Sequence, residues 1–242
     1  GGIAVPLLTL SLSPKQAAAV MLPILCLADV VGLKAYFGKW DTANLKVMLP
    51  GALIGIIIGS LTFELLDDNL VGLLIGVIAV SFVLLGLING NQAPRPLHKG
   101  RGTLLSSLAG FTSFVAHAGG PPVMMHLLPQ QMDKVRFVAT INLFFLLTNA
   151  AKLFPYAALG QFTEENLLLS LMLAPIVPLG VWSGLWLQAR VNHLWFYRIA
   201  RAGITFKYTE TGPVGLLQDK PVVFFATRGG IYKDLPHDSQ TP

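Results

Sequence analysis

Two glycine–proline clusters carry the residues best suited to hold a small anion. His117-Ala118-Gly119-Gly120-Pro121-Pro122 interrupts an otherwise apolar stretch, and Gly1-Gly2 followed by Val5-Pro6 echoes it at the other end of the chain. Breaking a helix at membrane depth frees backbone N–H and C=O groups, which are costly to leave in hydrocarbon. The half-helix after each break presents free N–H groups and the positive end of its dipole, an anion site that needs no buried lysine. Polar residues in apolar surroundings add to the pattern. Asn142 and Asn149 share a helix face, with Thr148 and Lys152 beside them, and Ser113 lies a turn before His117, with His126 after it. The candidate substrate-binding residues are therefore Gly1, Gly2, His117, Gly119, Gly120, Asn142, Thr148, Asn149 and Lys152. Asp29, in an earlier apolar stretch, is a candidate proton carrier or a partner for Lys152. The plainer roles are a kink for the glycines and interhelical hydrogen bonding for Asn142, Thr148 and Asn149. No Ser–His–Asp order, zinc-ligand pair or phosphate loop stands out, so no catalytic residue and no metal site is assigned.

The elements around these residues are those of a membrane protein. Of 242 residues, 53% are hydrophobic and 12% charged, about half the charge of a soluble domain; the mean hydropathy is +0.64. The net charge of +5 comes with no basic face interleaved with aromatics, which argues against a nucleic-acid partner. Cys26 is the single cysteine, which excludes an internal disulfide. A spanning helix needs about 20 mostly apolar residues. Stretches at 16–36, 47–66, 70–89, 103–128 (interrupted at the glycines), 137–158, 166–188 and 192–205 qualify, and 3–12 reads as the end of a truncated first span. The fold class expected is all-α: a polytopic membrane bundle of two tandem four-helix repeats, the first helix incomplete, with a short non-membrane C-terminal tail. The segments are 1–89, a basic loop at 90–102, 103–203, and 204–242.

The halves echo one another in order. Asp29 falls opposite Asn149, Asn44-Leu45 opposite Asn166-Leu167, and Pro50 with Gly55 and Gly59 opposite Pro175 with Gly180 and Gly184. Gly51, Gly55 and Gly59, and again Gly180 and Gly184, form small-xxx-small ladders that let helices approach closely. Sidedness follows from Lys and Arg in the short loops. If the broken segments cross, Lys34, Lys39, Lys46, Arg95, Lys99 and Arg101 share the cytoplasmic side with the C-terminal tail, and Lys15, Lys134, Arg136 and Arg190 lie opposite. If the broken segments re-enter, that parity changes.

The ordered set Gly-Gly…Pro, Ser13-Pro14-Lys15-Gln16-Ala17-Ala18-Ala19, Leu27-Ala28-Asp29-Val30-Val31-Gly32, Leu49-Pro50-Gly51-Ala52-Leu53-Ile54-Gly55 and Leu147-Thr148-Asn149-Ala150-Ala151-Lys152-Leu153 resembles the TauE/SafE family of sulfite and organosulfur anion exporters. The resemblance covers residues 1 to about 203. It implies export of small anions such as sulfite or sulfonates from a bacterial-type inner membrane, with no cofactor; the partners are then the bilayer and the anion, and a homo-oligomer is compatible. From about residue 202 the chain changes character. Ala202-Gly203-Ile204-Thr205-Phe206-Lys207-Tyr208-Thr209-Glu210 and Thr227-Arg228-Gly229-Gly230-Ile231-Tyr232 resemble an internal stretch of the FMN-dependent NADH-azoreductases. That likeness implies a strand at 222–226 and a flavin-touching loop at Thr227, Arg228, Gly229 and Gly230. The phosphate-binding first strand–helix turn is missing from it, so the tail is read as a fragment that does not fold alone and holds no FMN. The alternative is an azoreductase fragment carried on a membrane anchor, or an inactive chimera, with 198–203 as the join.

Overall fold

The computed structural model describes residues 4–67, 70–71, 73, 77, 80–81, 96–192, 196, 206–209 and 212–215. It divides into two units, Gly1–Thr205 and Phe206–Pro242, and each is taken by itself. The described part of the first unit is helical: α1 is Ala4–Leu8, α2 Pro14–Tyr36, and α3 Thr42–Thr62 with a 3-10 turn to Leu65. Then follow α4 Lys99–Ala116, α5 Gly120–Leu127, α6 Lys134–Ala158, α7 Glu164–Leu173 and α8 Ile176–Arg190. Among the described residues α2, α3 with its 3-10 turn, and α6 are long and apolar enough to cross a membrane, and α7 with α8 makes a fourth if the bent pair is one span. The spans expected at 70–89 and 192–205 lie largely outside the described residues.

Side-chain caps set where the helices begin. Ser13 Oγ accepts from Gln16 N (3.2 Å), Asp41 Oδ1 from Asn44 N (2.8 Å), Asp133 Oδ1 from Val135 N (2.8 Å), and Thr163 Oγ1 from Asn166 N (3.2 Å). Each cap satisfies an orphan amide and is worth about 1 kcal/mol. The helices therefore start two to five residues before the apolar windows do, and α4 starts at Lys99, inside the stretch read as a loop, with His98 Nδ1 as its cap.

Two expectations from the internal echo change. Pro50 lies inside unbroken α3, whereas Pro175 sits at a 44° bend between α7 and α8, so the single span expected at 166–188 is two helices. The glycine ladders also differ. A Cβ at Gly51 would run into Ser106 and Thr103, one at Gly55 into the Ser107 carbonyl, and one at Gly59 would lie 3.0 Å from Phe114 Cβ. These contacts make α3 and α4 a closely packed parallel pair. Gly180 and Gly184 face open space, with no described atom near enough to touch a Cβ. Gly55→Leu should thus force α3 from α4 and cost about 3 kcal/mol or more, whereas Gly184→Leu should be silent. Thermal unfolding in detergent measures both, and an unchanged Tm for Gly55→Leu would disprove the α3–α4 contact.

The broken segment turns back rather than crossing. Running along α5 from the break, the chain approaches the start of α4 again: Arg101 Nη2 donates to Met125 O (3.0 Å), and a Cβ on Gly102 would lie 2.7 Å from His126 Cε1. The same end holds the start of α3, where Asn44 Oδ1 meets His126 Nε2 (2.8 Å) and Gln130 Nε2 (2.9 Å). It also holds the start of α6, where Arg136 Nε lies 3.4 Å from Asp41 Oδ2 and Asp41 N donates to Thr140 Oγ1 (2.8 Å). Lys134 Nζ ties in the end of α8 through Gln188 O (3.0 Å) and Val191 O (2.6 Å), and Gln188 in turn accepts from Tyr36 OH. Lys34, Lys39, Lys46, Lys99, Arg101, Lys134, Arg136 and Arg190 therefore gather at one end. Lys15, Glu64, Glu164 and Glu165 mark the other, where Lys15 Nζ stacks 5.1 Å from the Phe63 ring centre. The arrangement in which the second break crosses is overturned, since it would have separated Lys134, Arg136 and Arg190 from Arg101.

The interior is apolar and aromatic. Leu45, Met48, Ala52, Ala109, Val123, Leu127, Phe137 and Phe144 fill the basic half, and Leu22, Ile56, Phe63, Phe114 and Tyr156 the other. Large apolar side chains such as Phe154, Leu61, Leu104 and Trp182 point outward, which suits lipid contact. In the second unit, β1 (Phe206–Thr209) pairs antiparallel with β2 (Gly212–Gly215), Phe206 opposite Gly215. The all-α class, expected of the chain with a short non-membrane tail, therefore applies to the described part of the first unit, and the tail carries this hairpin. The strand expected at 222–226 and the loop Thr227–Gly230 lie outside the described residues.

Candidate functional site

α4 ends at Ala116, and His117 adopts the left-handed conformation (φ 52°, ψ 28°). That region disfavours a side chain by about 1 kcal/mol or more, and two backbone bonds hold it: His117 N–H to Ser113 O (3.1 Å) and Ala118 N–H to Thr112 O (3.1 Å). The turn aims the His117 ring inward. Its Nε2 lies 2.9 Å from Ala18 O of α2, its Nδ1 3.0 Å from Lys152 Nζ of α6, and Tyr156 tilts against it at 6.3 Å between ring centres. Lys152 has no solvent exposure. Its remaining bonds go to Ser113 O and Ser113 Oγ, both at 3.0 Å. A buried ammonium thus meets three neutral acceptors, and Arg136–Asp41 is the ion pair found among the described residues.

One turn earlier on α6, Asn149 Nδ2 donates to Asp29 Oδ2 (2.7 Å). Asp29 was expected as a proton carrier or as the partner of Lys152; its direct partner is Asn149. The rest of the candidate set separates. Thr148 Oγ1 bonds back to Phe145 O (3.1 Å) in its own helix. Asn142 packs on Gly32, where a Cβ would lie 2.8 Å from its Nδ2, and its buried Oδ1 has no partner among the described residues. Ten residues before Lys152, it stands about 15 Å away along the helix axis, so it is not part of the Lys152 cluster. Gly119 is a packing residue: a Cβ there would lie 2.7 Å from Ala109 O and 2.9 Å from Ser113 Cβ. Gly120 faces open space. Gly1 and Gly2 lie outside the described residues.

The helix-end reading is narrowed as well. Pro121 and Pro122 occupy the first turn of α5 and have no N–H, so the donors at this N-terminus are Gly119 and Gly120, whose amides bond to none of the described residues. A lysine contributes the larger share of positive charge, contrary to the expectation that none was needed. Sequence reasoning missed Tyr156, one turn after Lys152 and buried, whose hydroxyl donates to Phe114 O. It also missed the Asn44–His126–Gln130 network, which needed the hairpin's return to become visible.

Comparison with known proteins divides the chain at the same region as its composition. Residues 1–206 match the family described as "Sulfite exporter TauE/SafE". Residues 193–241 match a second family, described as "Flavodoxin-like fold", so the two overlap across the expected join. The C-terminal part is 70% identical over 47 residues to an "FMN-dependent NADH:quinone oxidoreductase" of Cellvibrio japonicus (strain Ueda107), covering 19% of this chain and 24% of that protein. A protein of the same name from Alteromonas mediterranea is 67% identical over 48 residues (20% and 24%), and one from Saccharophagus degradans 52% identical over 68 residues (28% and 29%). The chain thus spans about a quarter of the length of these curated relatives. No solved structure matches the chain.

Proposed function

The chain belongs to the sulfite exporter TauE/SafE family, and we propose that its membrane part carries small sulfur-containing anions such as sulfite or sulfonates outward across a bacterial-type inner membrane. The observation behind this reading is Lys152, a fully buried cation whose three bonds all go to neutral atoms. Burying an ammonium with no carboxylate bonded to it is expensive; Asp29, bound by Asn149, acts on it only through space, and a transported anion would supply the direct contact. It would sit between Lys152, His117 and the Gly119 and Gly120 amides, using the open space beside Gly120. Asp29 with Asn149, one turn away, is a route for a proton.

Two halves of opposite orientation are part of this proposal. The caps Ser13 and Asp133 stand at the same offset as Asp29 and Asn149, 120 residues, and Asp41 and Thr163 at nearly that offset. α2 and α6 run antiparallel, since Asp29 meets Asn149, Gly32 meets Asn142, and Asp41 beyond α2 meets Thr140. Inverted repeats with a site at broken helices are a recurrent transporter design. The basic end is assigned to the cytoplasm.

Sulfite release from proteoliposomes tests the function: flux above protein-free vesicles is expected, and flux equal to theirs removes the reading. Asn149→Leu should lower that flux without preventing insertion. The second reading, an oxidoreductase fragment on a membrane anchor, is favoured by the 70% identity of the C-terminal segment. The described part of that segment is a two-stranded hairpin, which is marginal alone. Purified protein should be colourless, and flavin absorbance at one FMN per chain would favour this reading instead.

A further inference from the structure

The Lys152–His117 contact fixes how many protons the site holds. Ala18 O can only accept, so the His117 nitrogen 2.9 Å from it, Nε2, carries a hydrogen. The opposite nitrogen, Nδ1, lies 3.0 Å from Lys152 Nζ. That separation permits one proton on the line between them. Either the ammonium donates to a neutral ring or an imidazolium donates to a neutral amine. With a proton on both nitrogens, two N–H groups would point at each other and the contact would open. A neutral amine beside a neutral ring has only two N–H groups for the three acceptors Ser113 O, Ser113 Oγ and His117 Nδ1, so in the absence of ligand the pair carries a single positive charge, shared between two buried bases. The other groups facing it are Cys26 and Asp29 from α2, Ser113 from α4, and Tyr156 from α6 itself. Asp29 is held by Asn149, and the Tyr156 hydroxyl by Phe114 O.

We propose that anion binding at this site takes up one proton, which the His117–Lys152 pair receives as their direct contact opens. The second positive charge offsets the anion, and Nζ and Nδ1–H both become donors to it beside the Gly120 amide. Charge and atoms balance: one anion and one proton enter together, no bond to the anion forms, and no other reactant is needed. The proposal rests on the anion site described above, and makes a proton its obligatory companion. It moves the coupling proton from Asp29, the carrier suggested by sequence, to the pair in contact with the anion.

The test uses the full chain in detergent and methanesulfonate, whose single charge does not titrate between pH 6 and 9. Calorimetric titration in buffers of different ionisation enthalpy counts protons. About one proton per bound anion is expected, with affinity falling about tenfold per pH unit on the alkaline side. His117→Gln keeps a donor for Ala18 O and removes the second base. It should bind more weakly, with proton uptake near zero and a flat pH profile; Asp29→Asn should still take up its proton. Binding by the native chain without proton uptake overturns this inference and leaves the anion site standing. Uptake lost in Asp29→Asn and kept in His117→Gln places the proton on Asp29 and also overturns it. Absence of any binding by the native chain removes the anion site, and the inference with it.

Discussion

Lys152→Met should abolish anion transport while leaving the protein as stable as before, or more so. The two effects separate because Lys152 is costly to the resting fold. Desolvating an ammonium costs several kcal/mol, and hydrogen bonds to neutral acceptors recover only part of this. Methionine fills a similar volume beside Ser113, His117 and Cys26 without that penalty. What it leaves behind is modest: His117 Nδ1 loses its donor, a cost of about 1–3 kcal/mol, while Ser113 O keeps the His117 N–H and the Ser113 hydroxyl can turn. Thermal unfolding of the variant in detergent should therefore match or exceed that of the native chain. Transport is another matter. Two charge-assisted hydrogen bonds from the ammonium to an anion, at about 1.5–3 kcal/mol each, correspond to a loss of at least about a hundredfold. Sulfite flux into or out of proteoliposomes should fall to the level of empty vesicles. Native flux in Lys152→Met would remove Lys152 from the site. A variant that no longer folds would show instead that the Ser113–Lys152–His117 bonds are a structural clasp, and that the buried charge is there to hold α4 to α6.

Why these residues were partly visible in the sequence, and their arrangement was not, follows from what periodicity measures. Apolar windows located α2, α3 and α6 because lipid-facing helices must be apolar around much of their surface. They could not place the helix starts, which polar caps such as Ser13, Asp41 and Asp133 set outside any apolar window. The break at His117–Pro122 was legible because glycine and proline interrupt a helix for local reasons. Its consequence was not. A chain that stops mid-membrane can go on or turn back with the same residues, and the choice lies in contacts such as Arg101 with Met125 O, distant in sequence. Periodicity also put Asn142 and Asn149 on one face correctly, but a face runs the whole length of a helix, and only Asn149 is at the level of Asp29. The dipole argument named the right helix end and overrated it, because it counted turns and not the N–H groups that Pro121 and Pro122 lack. Lys152 seemed dispensable in that account; burial makes it the main positive charge.

The turn of the hairpin gives the other large effect, an all-or-none one, because a side chain is reachable from one face of a membrane or the other. In a chain whose Cys26 is replaced by Ala, single cysteines at Lys99 and Gln131 flank the hairpin, one before α4 and one between α5 and α6. Both positions are exposed. A returning hairpin puts them on the same face, with cysteines at Lys39 and Ala189, and a crossing segment puts them on opposite faces. Ser11 and Glu164, exposed near the starts of α2 and α7, belong to the other face. A membrane-impermeant maleimide added outside intact cells should label cysteines at Ser11 and Glu164. It should spare those at Lys39, Lys99, Gln131 and Ala189 until the membrane is opened. The basic residues decide which face is inside; eight of the ten described Lys and Arg residues of the first unit sit at the hairpin's open end, and apart from buried Lys152 only Lys15 among them does not. Complete reversal of the pattern would keep the hairpin and invert the molecule, with the proposed export becoming uptake for the same gradients. Labelling of Lys99 and Gln131 from opposite faces would break the hairpin itself. It would also separate α5 from α4, and with it the site in which Lys152 meets the turn at His117.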